Sequence, residues 1–272
     1  MRRPFGAGER RGNRTVTGLS GFSYAQARLL ARYGKRADAR VWVRLQNIHD
    51  LASYLQVARQ TPLRPWVLGI DSTHSSHEIE LTLRRRYREH VDEVAGWLPE
   101  TWQIPLRWIK RLADLPLLRY LLADGIPMDW MRSDPYISDF TDDEPAMRLQ
   151  AMRNAGCESL VNAWRQEDSM FHGWLSHWNE LRPQTRAYND GLQSMERLLQ
   201  TRLLLNAGQT GTASSKDYEL ESDKFSAIFR RHTFEPAAVC AYLAIIAIDV
   251  HHIRSDLMQR LFFQANAEGL PV

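Results

Sequence analysis

The chain has 272 residues, 44% hydrophobic and 25% charged, which is enough to bury one or two cores and too apolar for overall disorder. A formal charge of +3 does not by itself demand a nucleic-acid partner. Two cysteines, Cys157 and Cys240, exclude a disulfide framework and a zinc site of the usual spacing, so a reducing cytoplasm is the expected compartment.

Charge is unevenly placed. Arg2, Arg3, Arg10, Arg11 and Arg14 stand against one acid, Glu9. This stretch lacks the apolar run of a secretory signal, and its glycines and proline spoil the amphipathic helix of a transit peptide. Residues 1–20 therefore read as a flexible basic tail, and 21–272 as one all-helical domain.

Helical periodicity predicts a first helix over Tyr24 to Lys35. Ala39 to Leu45 is the one strand candidate and reads equally well as helix. Asn47 is expected to cap the next helix, with Asp50 at its third position and Ile48, Leu51, Leu55 and Ala58 as its apolar stripe; Thr61 and Pro62 end it. Ser76 is read as the cap of a long helix to Trp97. In it Ile79, Leu83, Tyr87 and Val91 turn inward, and Arg84 to Arg86 lie on a solvated face.

Short helices are expected over Trp102 to Leu112 and Leu115 to Ala123, with Asp114 as an N-cap, Pro116 in the first turn and Gly125 as the stop. Residues 125–145 read as an acidic loop. Helices resume over Ala146 to Asn154, Glu158 to Leu181 and Thr185 to Asn206. A Gly/Ser/Thr linker is expected near 207–217, then a helix over Tyr218 to Arg231.

The C-terminal helix is the strongest prediction. Pro236 suits a first turn, no proline or glycine follows until Gly269 and Pro271, and the span to Ala267 makes a rod on the order of 50 Å long. Ala237 to Ile248 is apolar on every face and should be buried all round. Between Glu235 and Asp249 it falls short of the roughly 20 apolar residues that cross a bilayer. The expected fold is all-α, a multi-helix bundle ending in a long helix.

No catalytic motif emerges. Lys216 follows Ser215 and precedes Asp217, which is wrong for a phosphate-binding loop; GLSGF around Ser20 has neither the spacing nor the strand of a nucleophile elbow. His74 and His77, His172 and His177, and His251 and His252 lack the i, i+4 geometry with a third ligand that zinc needs. Trp164, Phe171, Trp174 and Trp178 read as one packed helix seam. Asp249, His252 and Arg254 interrupt the apolar helix. A buried carboxylate there needs a partner, either a cation on another helix or the rim of a partner protein.

Three segments carry a resemblance. YAQARLL supplies Tyr24, Ala27 and Arg28 of a Y-x-x-A-R-x-R opening, with Leu30 for the second arginine. IHDLASYLQVARQTP ends on Thr61 and Pro62. The C-terminus supplies Phe234, Glu235 and Pro236; Ala241, Tyr242 and Leu243; Asp249, Ile253 and Arg254; and Gly269, Leu270 and Pro271. Together they resemble the C/d family of central-stalk socket subunits in V-type (vacuolar/archaeal-type) ATPases and ATP synthases, with His252 in place of the usual Asn and Asp249 in place of the usual Glu.

The resemblance implies a non-catalytic central-stalk socket, a funnel of helices between the rotor shaft subunits and the membrane rotor ring. It implies no cofactor, no metal, no small-molecule substrate and no nucleic acid, and only indirect membrane contact on the cytoplasmic face. Tyr24, Arg28, Asp249, His252 and Arg254 become candidates for partner contact or helix pairing. An internal echo, Asp114-x-x-x-Leu118-Arg119-x-x-Leu122 and Asp249-x-x-x-Ile253-Arg254-x-x-Leu257, would follow from the family's pseudo-threefold repeat; a third copy is not visible. The competing readings are a helical adaptor or scaffold, and a nucleic-acid-associated protein using the Arg-rich N-terminus.

Overall fold

A computed structural model describes residues 16–208 and 215–268, with side chains described over 21–201 and 216–263. Among the described residues there are helices and no strands. The expected all-α class and the long C-terminal helix are both present.

Local capping chemistry explains most of the early boundaries. Helix α1, Val16–Tyr33, begins inside the expected tail; residues 1–15 lie outside the described part. Helix α2, Ala39–Gln46, resolves the ambiguous stretch as helix. Asp38 caps it by accepting from Val41 N–H, and Trp42 and Leu45 turn inward at helical spacing. Helix α3, Leu51–Ala58, is capped by Asp50 accepting from Ser53 N–H at 2.7 Å. Asn47 instead donates to Val43 O and closes α2.

A short α4, Arg64–Val67, leads to α5, Ser76–Ala95, where Ser75 and Glu78 form a reciprocal capping box one residue ahead of the expected cap. Helix α6, Glu100–Trp108, contains Pro105. Its carbonyl accepts from Trp178 Nε1 at 3.1 Å. Helix α7, Leu115–Leu122, follows a 3-10 turn.

The expected acidic loop at 125–145 is a folded segment. It holds α8, Asp129–Ser133, and a 3-10 turn, Ser138–Phe140, and Asp134 within it is fully buried. Helix α9 is Pro145–Asn154. The single helix expected over Glu158 to Leu181 is two, α10, Glu158–Arg165, and α11, Met170–Leu181. Glu167 at φ +55° breaks the run between them.

Trp164 is thereby removed from the predicted seam, while Phe171, Trp174 and Trp178 remain stacked along α11. Gly173 lets α10 and α11 approach closely; a Cβ there would sit 2.7 Å from Ser159 O and 2.8 Å from Ala163 Cβ.

Helix α12, Asn189–Gly208, and α13, Ser215–Arg231, complete the scaffold. Ser215 to Asp217 belong to the first turn of α13, not to the linker, whose centre at 209–214 lies outside the described residues. The predicted stop at Gly269 and Pro271 lies outside them too.

Helix α14, Pro236–Glu268, runs through the middle and packs on α13, α5, α12, α1 and α3. Its first half, Ala237 to Ile246, belongs to the larger buried cluster with α5, α6, α7, α10 and α11. Further on, Ile253 and Leu257 join a smaller cluster with α2, α3, α4 and the start of α5. By length and composition Pro236–Phe263 would suffice to cross a membrane, contrary to what Ala237 to Ile248 alone suggests. Its most apolar window has a mean hydropathy of 1.6 and is 83% buried inside the fold, the environment of a core helix. Each fully buried Leu or Ile on it contributes about 1.5–3 kcal/mol.

Candidate functional site

The five sequence candidates separate into an exposed group on α1 and a set of pairings along α14. Tyr24 is 56% exposed, and its hydroxyl accepts from Arg28 one helical turn on. The Arg28 guanidinium lies over the Trp97 ring at 4.5 Å. Arg32, a further turn along, stacks on the same ring at 4.8 Å and makes a two-point bond to Glu93. This stripe joins α1 to the end of α5 at the surface, where such pairs contribute little to stability.

Asp249 is buried on α14. Arg36, in the turn after α1, donates Nε to Oδ2 and Nη2 to Oδ1, both at 2.7 Å, and reaches Ser222 Oγ on α13 at 3.1 Å. Burial pushes the Asp249 carboxyl above the ordinary carboxylate range, and Arg36 pulls it part of the way back. The pair ties α1, α13 and α14 together.

His252 is sandwiched. Trp42 of α2 stacks on one face at 4.0 Å between centroids, and Tyr218 of α13 on the other at 4.4 Å. Burial, with the charges of His251 and Arg260 adding, pushes its pKa down to about 4, so it is a neutral ring at pH 7. Arg254 is half exposed and bonds Glu80 of α5. Asp249, His252 and Arg254 thus face three different neighbours and do not converge on one centre.

Among the described residues the largest buried charge cluster lies elsewhere, at residues that the sequence did not single out as a site. Arg88 of α5, 1% exposed, donates to Asp114 at 2.6 Å and to both Asp134 oxygens at 2.8 and 2.9 Å. Asp114 also meets Arg84 at 3.3 Å and Arg111 at 3.7 Å. Arg84 bonds Glu80, which continues to Arg254. A chain of charges therefore runs from the surface of α14 through α5 to the segment after α8. Burial raises the Asp114 pKa, and the three arginines oppose that rise.

Asp114 makes no capping bond; its role is this pairing. Arg84 is correspondingly drawn in from the solvated face assigned to it. The clue in the sequence was register: Arg88 precedes Val91 and Ala95 by three and seven residues, the inward spacing of α5.

Among the described residues no group of three or more His, Cys, Asp or Glu side chains is placed to hold a metal ion. Among the described residues the geometry joins helices through ion pairs and stacked rings. No family model, curated protein or solved structure matches the chain.

Proposed function

We propose that the chain is a non-catalytic coupling protein of the V-type ATPase C/d kind, seating a rotor shaft on a membrane ion-translocating ring. The reading rests on the sequence resemblance, and one structural observation supports it. The segments that carry the resemblance, distant in sequence, pack on each other. Phe234 N–H donates to Gln26 Oε1 across 208 positions, and α1 and α3, which carry the first and middle matches, both pack on α14.

The internal echo has a structural counterpart. Asp114 and Asp249 are both buried and both paired with an arginine. Leu118 and Ile253 are both at 0% exposure, while Arg119 and Arg254 both face outward. A torque-bearing part needs stiffness more than chemistry, and a central helix tied to its neighbours by buried ion pairs supplies it.

The test is affinity purification of the tagged full chain from gently solubilised host membranes. Rotary-ATPase stalk and ring subunits at matching stoichiometry are the expected companions. A particle free of ATPase subunits would remove the proposal.

A further inference from the structure

Between the first turn of α5 and α8 lies an open groove of about 460 Å³, lined in part by His77, Glu78, Leu81, Met128, Asp129 and Trp130. Within this lining His77 and Trp130 stack nearly parallel at 5.4 Å. Met128 of the lining is 44% exposed, and Ile126, two residues before it in the chain, is 79% exposed, more than any other large apolar side chain among the described residues.

An apolar rim on an ordered backbone is what an interaction surface requires, and this backbone is held at three points. Gly125 N–H donates to Tyr120 O at 3.0 Å. Tyr120 Oη donates to Ile126 O at 2.9 Å, and Arg148 Nη1 donates to Gly125 O at 2.7 Å. Arg148 is buried and also binds the carbonyls of Leu121, Asp142 and Asp143. One cation thus fixes the apolar rim and the acidic segment after it in one arrangement. Gly125 is required for it, because a Cβ would fall 2.6 Å from the Tyr120 ring.

Charge decides what fits. Glu78 and Asp129 line the groove, and Asp124, Asp142 and Glu144 stand exposed on the adjoining segment. Arg132 on the same segment is neutralised by Asp143 at 2.7 Å. A cleft between helices accepts a helical ridge. An amphipathic helix with Lys or Arg beside its apolar stripe matches both the apolar rim and the acids.

We propose that this face docks a short basic amphipathic helix of a partner protein, its apolar stripe on Ile126, Met128 and Trp130 and its cations toward Glu78, Asp129 and Asp142.

The probe is a fluorescein-labelled synthetic helix of Leu and Lys, with a Leu and Glu helix of the same pattern as control, titrated with the full chain by fluorescence anisotropy. The Lys helix should bind, more weakly as salt rises. Ile126→Ser should weaken binding about tenfold and Asp129→Asn about threefold, with circular dichroism and melting unchanged. Ile104→Ser, at a residue 62% exposed on α6, should bind like the parent.

With methyl-labelled methionine, the Met128 resonance should shift while Met131, 1% exposed, stays in place. Absence of binding, equal binding of the Glu helix, or indifference to Ile126→Ser would each overturn the assignment. So would a dimer in sedimentation velocity that Ile126→Ser dissolves, which would give the face to a second copy of the chain.

Discussion

Arg36 and Asp249, 213 residues apart, meet in a two-point ion pair with both N···O distances at 2.7 Å. The pair joins the turn after α1 to α14. A buried pair of this kind is costly to break from one side, because the remaining charge is left without compensation.

Arg36→Met should therefore cost about 3 kcal/mol near pH 7, and the cost should shrink at pH 5. Without Arg36, Asp249 keeps only the burial that raises its pKa. The native state then binds more protons than the unfolded chain, so stability falls as pH rises through the raised value and returns on acidification. The double variant Arg36→Met/Asp249→Asn, with no carboxyl left to titrate there, should lose that recovery on acidification. Urea unfolding of parent and variants at the two pH values measures this; an Arg36→Met cost that is equal at both would refute it.

Acid sensitivity should trace to two histidines. His252 and His90 both have pKa values pushed down to about 4, chiefly by burial, against 6.5 for an ordinary histidine. Below pH 6.5 the unfolded chain takes up protons that the native state refuses. Stability should thus decline from about pH 6.5 to about pH 4. His252→Phe keeps a ring between Trp42 and Tyr218 and should flatten part of that decline in melting temperature; adding His90→Phe should flatten more. A parent slope that neither change alters would exclude both residues as its source.

At the Arg88 cluster two buried carboxylates share one buried cation, with Arg84 and Arg111 further out beside Asp114. Arg88→Met leaves Asp114 and Asp134 buried without it and should cost about 3–5 kcal/mol. Arg88→Met combined with Asp114→Asn and Asp134→Asn should recover part of that loss, since the stranded charges are gone. Chemical denaturation decides. A triple variant no more stable than the single one would mean that packing, not charge, sets the cost.

Gly173→Ala tests the close crossing of α10 and α11. The added methyl would meet Ser159 O at 2.7 Å and Ala163 Cβ at 2.8 Å, so the helices must part at a cost of about 1–3 kcal/mol. An unchanged unfolding midpoint would show that the crossing relaxes freely.

Much of the helix pattern was readable because apolar spacing reports local structure. The inward stripe of Ile79, Leu83, Tyr87 and Val91 and the wholly buried start of α14 needed nothing beyond periodicity. Caps were harder, since several polar residues stand near each helix start and only one has the right backbone angles. Asp50 displaced Asn47, and Ser75 displaced Ser76, on that account. The break at Glu167 was illegible, because a positive φ on a glutamate is imposed by the packing of α10 on α11 and leaves no mark in composition.

The candidate residues show the same division. That Asp249 would need a partner follows from its place in an apolar helix, since an unpaired carboxylate there is too costly. That the partner is Arg36, that His252 lies between two rings, and that Arg88 gathers Asp114 and Asp134 depends on which helices are brought side by side. Spacing and solvation within single segments were enough to specify the all-helical class, the long central helix and the need to compensate its charge. The pairings and the rigid apolar rim at Ile126 came instead from the packing of segments far apart in the chain, which no local pattern records.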